Sequence, residues 1–356
     1  MQTFNIYPSP DKSMKKLTLK FVVALLLTTN QYNSFSQDIH FSQVFETPLL
    51  RNPSLAGLFS GDIRFQSVYR TQWNSVTVPY QTVSMNGEYK LPVGQGDDFM
   101  TIGGQVVYDK AGTVALTTTK LLPAFNYHKS LGSKNTYLSL GFMGGYVQRR
   151  FDMSKMTTNS QFNGVGHDGS LPSGESFNSP SYSYLDGSAG MSFNTRIGQN
   201  EDNNIFLGLA YHHFNRAKKI SFYSDSKLEM MPKWVGSAGI RMNVSDYAFL
   251  TLEADHSRQG VYSETIGGAL YSVKLDGPDN ARYVFHAGTY LRWKDAIIPV
   301  AKLEFKPLSV AVSYDANISK LKTASSGRGG FEISMTYQKY RERYNSSKDA
   351  TRCPRF

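Results

Sequence analysis

Few residues of this 356-residue chain stand at spacings that do chemistry. Gly164-Val165-Gly166-His167-Asp168-Gly169 spells G-x-G-x-x-G, the letters of a turn whose glycines let the backbone approach a dinucleotide pyrophosphate. That chemistry needs a buried strand before the motif and a helix after it. Here the motif lies in a stretch from Ser154 to Pro180 rich in Ser, Gly and Asn, which reads as a long external loop too polar to pack. His212 and His213 are adjacent, and on a strand they face opposite sides, a poor geometry for sharing a metal. No nucleophile elbow and no phosphate-binding loop occurs. A Ser/His pair can still assemble from distant positions, so a membrane-embedded hydrolase stays as a third reading. The single cysteine, Cys353, builds neither an internal disulfide framework nor a Cys-rich zinc site. Catalytic residues, metal ligands and cofactors are therefore all read as none.

What must position any function is a pattern of period two. Ile63, Phe65 and Tyr69 alternate with Arg64, Gln66 and Arg70, and Leu138, Leu140, Phe142 and Tyr146 alternate with Tyr137, Ser139, Gly141 and Gly145. Tyr283, Phe285, Ala287 and Leu291 oppose Arg282, His286, Gly288 and Arg292, and Phe331, Ile333, Met335 and Tyr337 oppose Glu332, Ser334, Thr336 and Gln338. About fourteen such strands, most longer than ten residues and one of them spanning 203–218, are separated by turn-forming clusters. The longest apolar run, Phe21 to Leu27, is far short of the roughly 20 residues of a membrane helix. Only alternate residues of a barrel strand face lipid, so a chain of mean hydropathy −0.37 can still live in a bilayer. The fold class that follows is all-β, a transmembrane outer-membrane β-barrel of about 14 antiparallel strands; a soluble periplasmic all-β protein is the competing account.

The ends of the chain read differently. Residues 1–36 divide into an upstream extension and a cleaved signal peptide, with Lys15, Lys16 and Lys20 ahead of the apolar run and Ser34 and Ser36 after it. Removing them lowers the formal charge of +10 by three. Nucleic acid is not an expected partner of an exported chain; anionic outer-membrane lipid, an acidic partner or the cell-envelope polymer is, and charge alone does not choose among them. Residues 37–60 do not alternate. Phe41, Val44 and Phe45 lie at helical spacing and Pro48 and Pro53 break any long helix, so this is either a plug in the lumen or a periplasmic arm. The barrel then occupies 61–342 and a periplasmic tail 343–356.

Specific residues add to the period. Phe41-Ser42-Gln43, Pro48 and Asn52-Pro53-Ser54-Leu55-Ala56-Gly57, then Tyr69-Arg70-Thr71-Gln72-Trp73 and Pro79-Tyr80-Gln81-Thr82-Val83-Ser84, resemble the start and first hairpin of mature PorP/SprF proteins of the Bacteroidota type IX secretion system. The ending Cys353-Pro354-Arg355-Phe356 is similar to one common in that family, while Ser54-Leu55 departs from its usual small-aromatic pair. The resemblance implies an outer-membrane barrel related to fatty-acid-channel proteins and not an enzyme. It implies a role in export or surface attachment of a secreted adhesin, gliding motility downstream, or anchoring of periplasmic secretion-ring components. The alternative is passive, fatty-acid-channel-like uptake of a hydrophobic small molecule.

The matched residues also have a physical reading. Asn52-Pro53 and Gly57 set a rigid turn and then a flexible one that steer the arm to the barrel mouth. Trp73 and Tyr80 suit an interfacial girdle, and Arg70, opposite in parity to Tyr69, points into the lumen. From Lys339 onward the tail carries six basic residues against Glu342 and Asp349, which makes Cys353, Pro354, Arg355 and Phe356 a candidate docking end for an acidic partner.

Overall fold

The computed structural model describes residues 38–72, 78–94, 96–132, 135–200, 202–218, 220–223, 228–278, 281–319 and 327–340. The expected signal peptide and the basic tail, with Cys353, Pro354, Arg355 and Phe356, lie outside the described residues, as does Trp73.

Fourteen antiparallel strands follow one another around a closed barrel. They are β1 (Ile63–Gln72), β2 (Tyr80–Pro92), β3 (Phe99–Ala111), β4 (Leu116–Ser130), β5 (Tyr137–Arg150), β6 (Ser181–Arg196) and β7 (Asn204–His212), then β8 (Lys233–Ser245), β9 (Ala248–Gln259), β10 (Tyr262–Lys274), β11 (Tyr283–Arg292), β12 (Ala296–Phe305), β13 (Leu308–Asn317) and β14 (Arg328–Lys339). The sheet closes where β1 pairs with β14 over ten residues, from Ile63 opposite Lys339 to Gln72 opposite Gly330. Closure leaves no strand edge, which is the condition for crossing a bilayer with strands.

The alternation resolves into two faces of opposite character. The apolar parity is outside: Phe65, Phe142, Met335 and Leu140 are more than half exposed, forming a belt suited to lipid. The polar parity is inside and buried, including Arg64, Gln66, Arg70, Glu88, Asn126 and Glu332. This reverses the sorting of a soluble domain.

Connections differ at the two ends. At the end where β1 begins, the turns are short, the longest being 275–282. At the other end lie the long connections 151–180, 213–232 and 318–327. Short turns belong to the periplasmic end of an outer-membrane barrel and long loops to the external end. At the short-turn end Asp98 accepts hydrogen bonds from Lys129 Nζ (2.8 Å), Tyr127 Oη (2.7 Å) and Ser130 N (2.9 Å). The lysine hydrogen bond, followed by the tyrosine one, holds that carboxylate below its ordinary range.

Two expectations need correction. The strand expected over 203–218 ends at His212, because His213 has φ +58° and leaves the sheet, its neighbour Phe214 donating from N to Gly187 O at 3.1 Å. The segment expected to be too polar to pack does pack: Phe177 sits edge-on to Phe151 at 4.9 Å, which also meets Phe222 of the next long connection at 4.8 Å. Three aromatic residues, outnumbered in composition, carry that packing.

An arginine on the outer belt meets hydrocarbon instead of water. Phe142→Arg, mid-strand in β5, is expected to destabilise the barrel by about 2–4 kcal/mol, read as a shifted urea midpoint for folding into lipid vesicles; a wild-type midpoint would place that face away from lipid.

Candidate functional site

The lumen is where the chain concentrates its polar side chains, and residues 39–60 run through it. This plug-like segment is a series of single turns: a 3-10 turn Val44–Glu46, one α-helical turn Pro48–Arg51 and a second 3-10 turn Pro53–Leu55. Turns this short leave most backbone groups without an internal partner. The barrel wall supplies the partners.

Near the external end, the backbone N–H groups of Ser42 and Gln43 donate to the two carboxylate oxygens of Glu332 at 2.7 and 2.8 Å. Glu332 also pairs with Arg70, its direct cross-strand partner on the β1/β14 seam. Ser42 Oγ donates to Asp315 Oδ1 at 2.6 Å and accepts from Arg70 Nη1 at 2.6 Å and from Arg292 Nη2 at 2.5 Å. One hydroxyl thus uses its single proton and both lone pairs. Asp315 pairs with Arg70 (3.0 Å) and Arg292 (3.1 Å), completing a buried clamp of two cations and two anions around a serine.

Deeper in the lumen the arm contributes charges of its own. Glu46 accepts from Lys302 Nζ (2.7 Å), Gln66 Nε2 (2.8 Å) and Thr336 Oγ1 (2.6 Å), drawing β1, β12 and β14 onto one carboxylate. Arg51 forks onto Asp255, with Nε 2.7 Å from Oδ2 and Nη2 2.8 Å from Oδ1, and reaches Glu253 at 3.4 Å. Arg51 O lies 3.1 Å from His212 Nε2, and Leu49 packs in a buried cluster with Leu122, Ala124, Met143 and Val147.

The Asn-Pro turn fits a notch of glycines. Asn52 Oδ1 caps the turn by accepting from Ser54 N (2.9 Å) and Ser54 Oγ (2.7 Å), while its amide Nδ2 donates to Met191 O (3.2 Å). A Cβ at Gly190 would land on the Asn52 amide, and one at Gly141, directly across the β5/β6 pair, would land on the backbone of Pro53 and Ser54. Asn126 Nδ2 donates to Ser54 O (2.6 Å) and Ala56 O (2.8 Å). Gly57, at φ +85°, turns the chain so that its N–H donates to Glu88 Oε2 at 2.8 Å, the carboxylate that Arg64 holds at 2.6 Å. Last, Phe59 O accepts from Lys90 Nζ at 2.5 Å at the periplasmic end.

Of the residues singled out in the sequence, Asn52, Pro53 and Gly57 lie in this arm and Arg70 in its clamp. Thr82 is buried beside Arg70 in register and donates from Oγ1 to Asp109 Oδ1 at 2.7 Å. Tyr69 is half-buried on the outer parity, Gln72 ends β1, and Pro79 precedes β2. The last three do not join the lumen network. Reading the sequence missed Glu332, Asp315 and Arg292 as partners of the arm, and Glu46 and Arg51 as the charges the arm itself supplies; for the three wall residues the available signal was charge on the inward parity of strands whose other parity is aromatic.

The other candidates do not form sites together. His212 and His213 are both buried, but their ring centroids are 6.3 Å apart and each has its own acceptor or donor, Ser188 Oγ for His212 (3.0 Å) and Asp186 for His213 (2.8 Å). Among the described residues no group of three or more His, Cys, Asp or Glu side chains is arranged to hold a metal. The glycine-rich motif forms a tight reversal closed by a bridge between Phe162 and His167, with no helix after it. On the outer wall the β4/β5 pairing lapses at Pro123, between Leu121 and Ala124, with the register unchanged, and a recess of about 430 Å³ lies there, lined by Pro123, Phe125, Phe142, Gly144, Gly187 and Phe214 among others.

A closed barrel with an apolar outer belt and a polar lumen threaded by its own N-terminal arm defines a strand-spanning membrane protein. A family model described as type IX secretion system membrane protein PorP/SprF matches residues 33–337. The chain belongs to that family, and it is an outer-membrane protein. No curated protein matches it in sequence.

Solved structures similar in outline include the toluene transporter TbuX of Ralstonia pickettii, at 10% identity and TM-score 0.48, over 83% of this chain and 94% of that one. A FadL homologue of Pseudomonas aeruginosa matches at 11% identity and TM-score 0.45, over 82% and 94%. The translocator domain of the autotransporter NalP of Neisseria meningitidis matches at 12% and 0.40, over 92% and 95%. Likeness at that level carries no argument about ligand or activity.

Removing one partner of a buried, hydrogen-bonded ion pair strands the others. Glu332→Ala should cost about 3–5 kcal/mol, seen as a lower temperature for loss of the folded electrophoretic band, and Arg70→Ala combined with it should cost less than the sum of the two. Additive losses would mean the two side chains are not coupled. Gly141→Leu should displace the Asn52–Ser54 turn and open the Arg51–Asn52 bond to trypsin in the purified protein, whereas the wild type, with Arg51 and Asn52 buried, is expected to resist cleavage at that bond.

Proposed function

We propose that this barrel is a non-enzymatic type IX component that supports export or surface attachment of a secreted adhesin, or anchors periplasmic secretion-ring components to the outer membrane. The observation that carries the reading is the family match over the barrel together with a lumen spanned by the chain's own arm. A lumen whose inward charges are spent on an internal segment is suited to presenting surfaces at its two ends. It is poorly suited to passing solutes through its axis. The basic tail, and Cys353, Pro354, Arg355 and Phe356 at its end, is proposed as the periplasmic docking element for an acidic partner.

Passive uptake of a hydrophobic small molecule is the second reading. In its favour stands the apolar recess beside Pro123 on the lipid-facing wall.

The test is affinity capture of the tagged protein from detergent-solubilised outer membranes, with bound proteins identified by mass spectrometry. Recovery of a type IX cargo or of ring components supports the adaptor reading, and deleting residues 345–356 should then abolish capture of ring components with the barrel still in the membrane. Recovery of a monomeric barrel alone would overturn it and make lipid-transport assays decisive.

A further inference from the structure

We infer that the arm is threaded outward: residues 39–60 climb the lumen from the periplasmic to the external end, so Ile39 and His40 are presented at the cell-surface mouth of the barrel. The contacts along the arm order it. Phe59 is held by Lys90, two residues from the periplasmic end of β2, and Gly57 by Glu88 of the same strand. Arg51 meets Glu253 and Asp255 halfway up β9. Ser42 meets Arg292, the last residue of β11 at the long-loop end, and Asp315, two residues short of the same end of β13. Beyond Ser42, Ile39 and His40 line a small recess with Lys233, the first residue of β8, and with Ser257 and Glu264 on either side of the tight β9/β10 turn. All three belong to the external end.

The physical consequence is that the arm is held at both ends. It is covalently joined to β1 at the periplasmic end and clamped at the external end by the Ser42 and Gln43 contacts to Glu332, Asp315, Arg70 and Arg292. A hatch that swung into the periplasm would have to unmake every one of these buried ionic contacts. A binding event at the cell surface, by contrast, can reach the clamp directly through Ile39 to Phe41. The arm is thereby a cell-surface element as well as a plug, whichever partner the barrel serves.

Cysteine labelling in intact cells decides the direction. In a Cys353→Ser background, His40→Cys is treated with a membrane-impermeant maleimide, beside Val165→Cys in the long external loop and Asn200→Cys in a periplasmic turn. Labelling of positions 40 and 165 on intact cells, with position 200 labelled only after permeabilisation, is the expected pattern. Labelling of position 40 only after permeabilisation, or its absence under both conditions, would overturn the threading. An epitope inserted between Asp38 and Ile39 gives an independent readout that leaves the arm's contacts in place. Antibody binding to intact cells supports outward threading, and binding only to permeabilised cells refutes it. Neither readout depends on capture of a secretion partner, so failure here and failure of the adaptor reading are separate results.

Discussion

A strand barrel in a membrane turns its polar parity inward, and everything about this molecule depends on how those buried charges are compensated. Water fills the lumen of an open pore and solvates its walls. Here a segment of the same chain occupies that space, and the clamp around Ser42 is the point at which wall and arm become one structure. Arg70 and Glu332 face each other across the closing seam of the barrel, and the Glu332 carboxylate accepts both arm N–H groups. Closing the sheet and seating the arm are therefore coupled, since neither leaves a satisfied set of buried charges without the other.

The same constraint explains the composition of the arm. Single helical turns expose backbone groups in every direction, which in a soluble core would be a liability. In a lumen lined by Asn126, Glu88, Lys90 and Glu332 they find partners on several strands. Apolar residues of the arm are used where the wall offers small or aliphatic neighbours, as Leu49 does with Ala124 and Val147. Glycines on β5 and β6 are spaces cut for the Asn-Pro turn, so the arm's motif and the wall's missing side chains are complementary parts of one contact.

Membership of the PorP/SprF family places the barrel in a secretion pathway, and the occupied lumen bears on how it takes part. Ion pairs and hydrogen bonds that elsewhere would recognise a solute are consumed internally. What stays available is located at the ends: long, aromatic-stapled loops and the arm's outer residues on one side, short turns on the other. A lipid-facing recess lies on the wall at Pro123.

The sequence alone determined the class and most of the strands. Period-two alternation of aromatic and polar residues is a local property, so Ile63 to Arg70 or Phe331 to Gln338 carry their orientation in their own letters. The Asn-Pro and Gly57 signals likewise marked a turn. It could not determine which charges meet, because Arg70 and Glu332 are separated by most of the chain, and Arg51 and Asp255 by some two hundred residues. Whether residues 39–60 filled the lumen or hung below it was undecidable for the same reason, since the glycine notch on β5 and β6 exists only once those strands lie side by side. The strand expected over 203–218 stops early because the backbone reversal at His213 goes with its long-range hydrogen bond to Asp186 and with Phe214 meeting Gly187, not with a glycine or proline in the sequence. Local periodicity is written in neighbours, whereas compensation of buried charge is settled only by closure of the barrel.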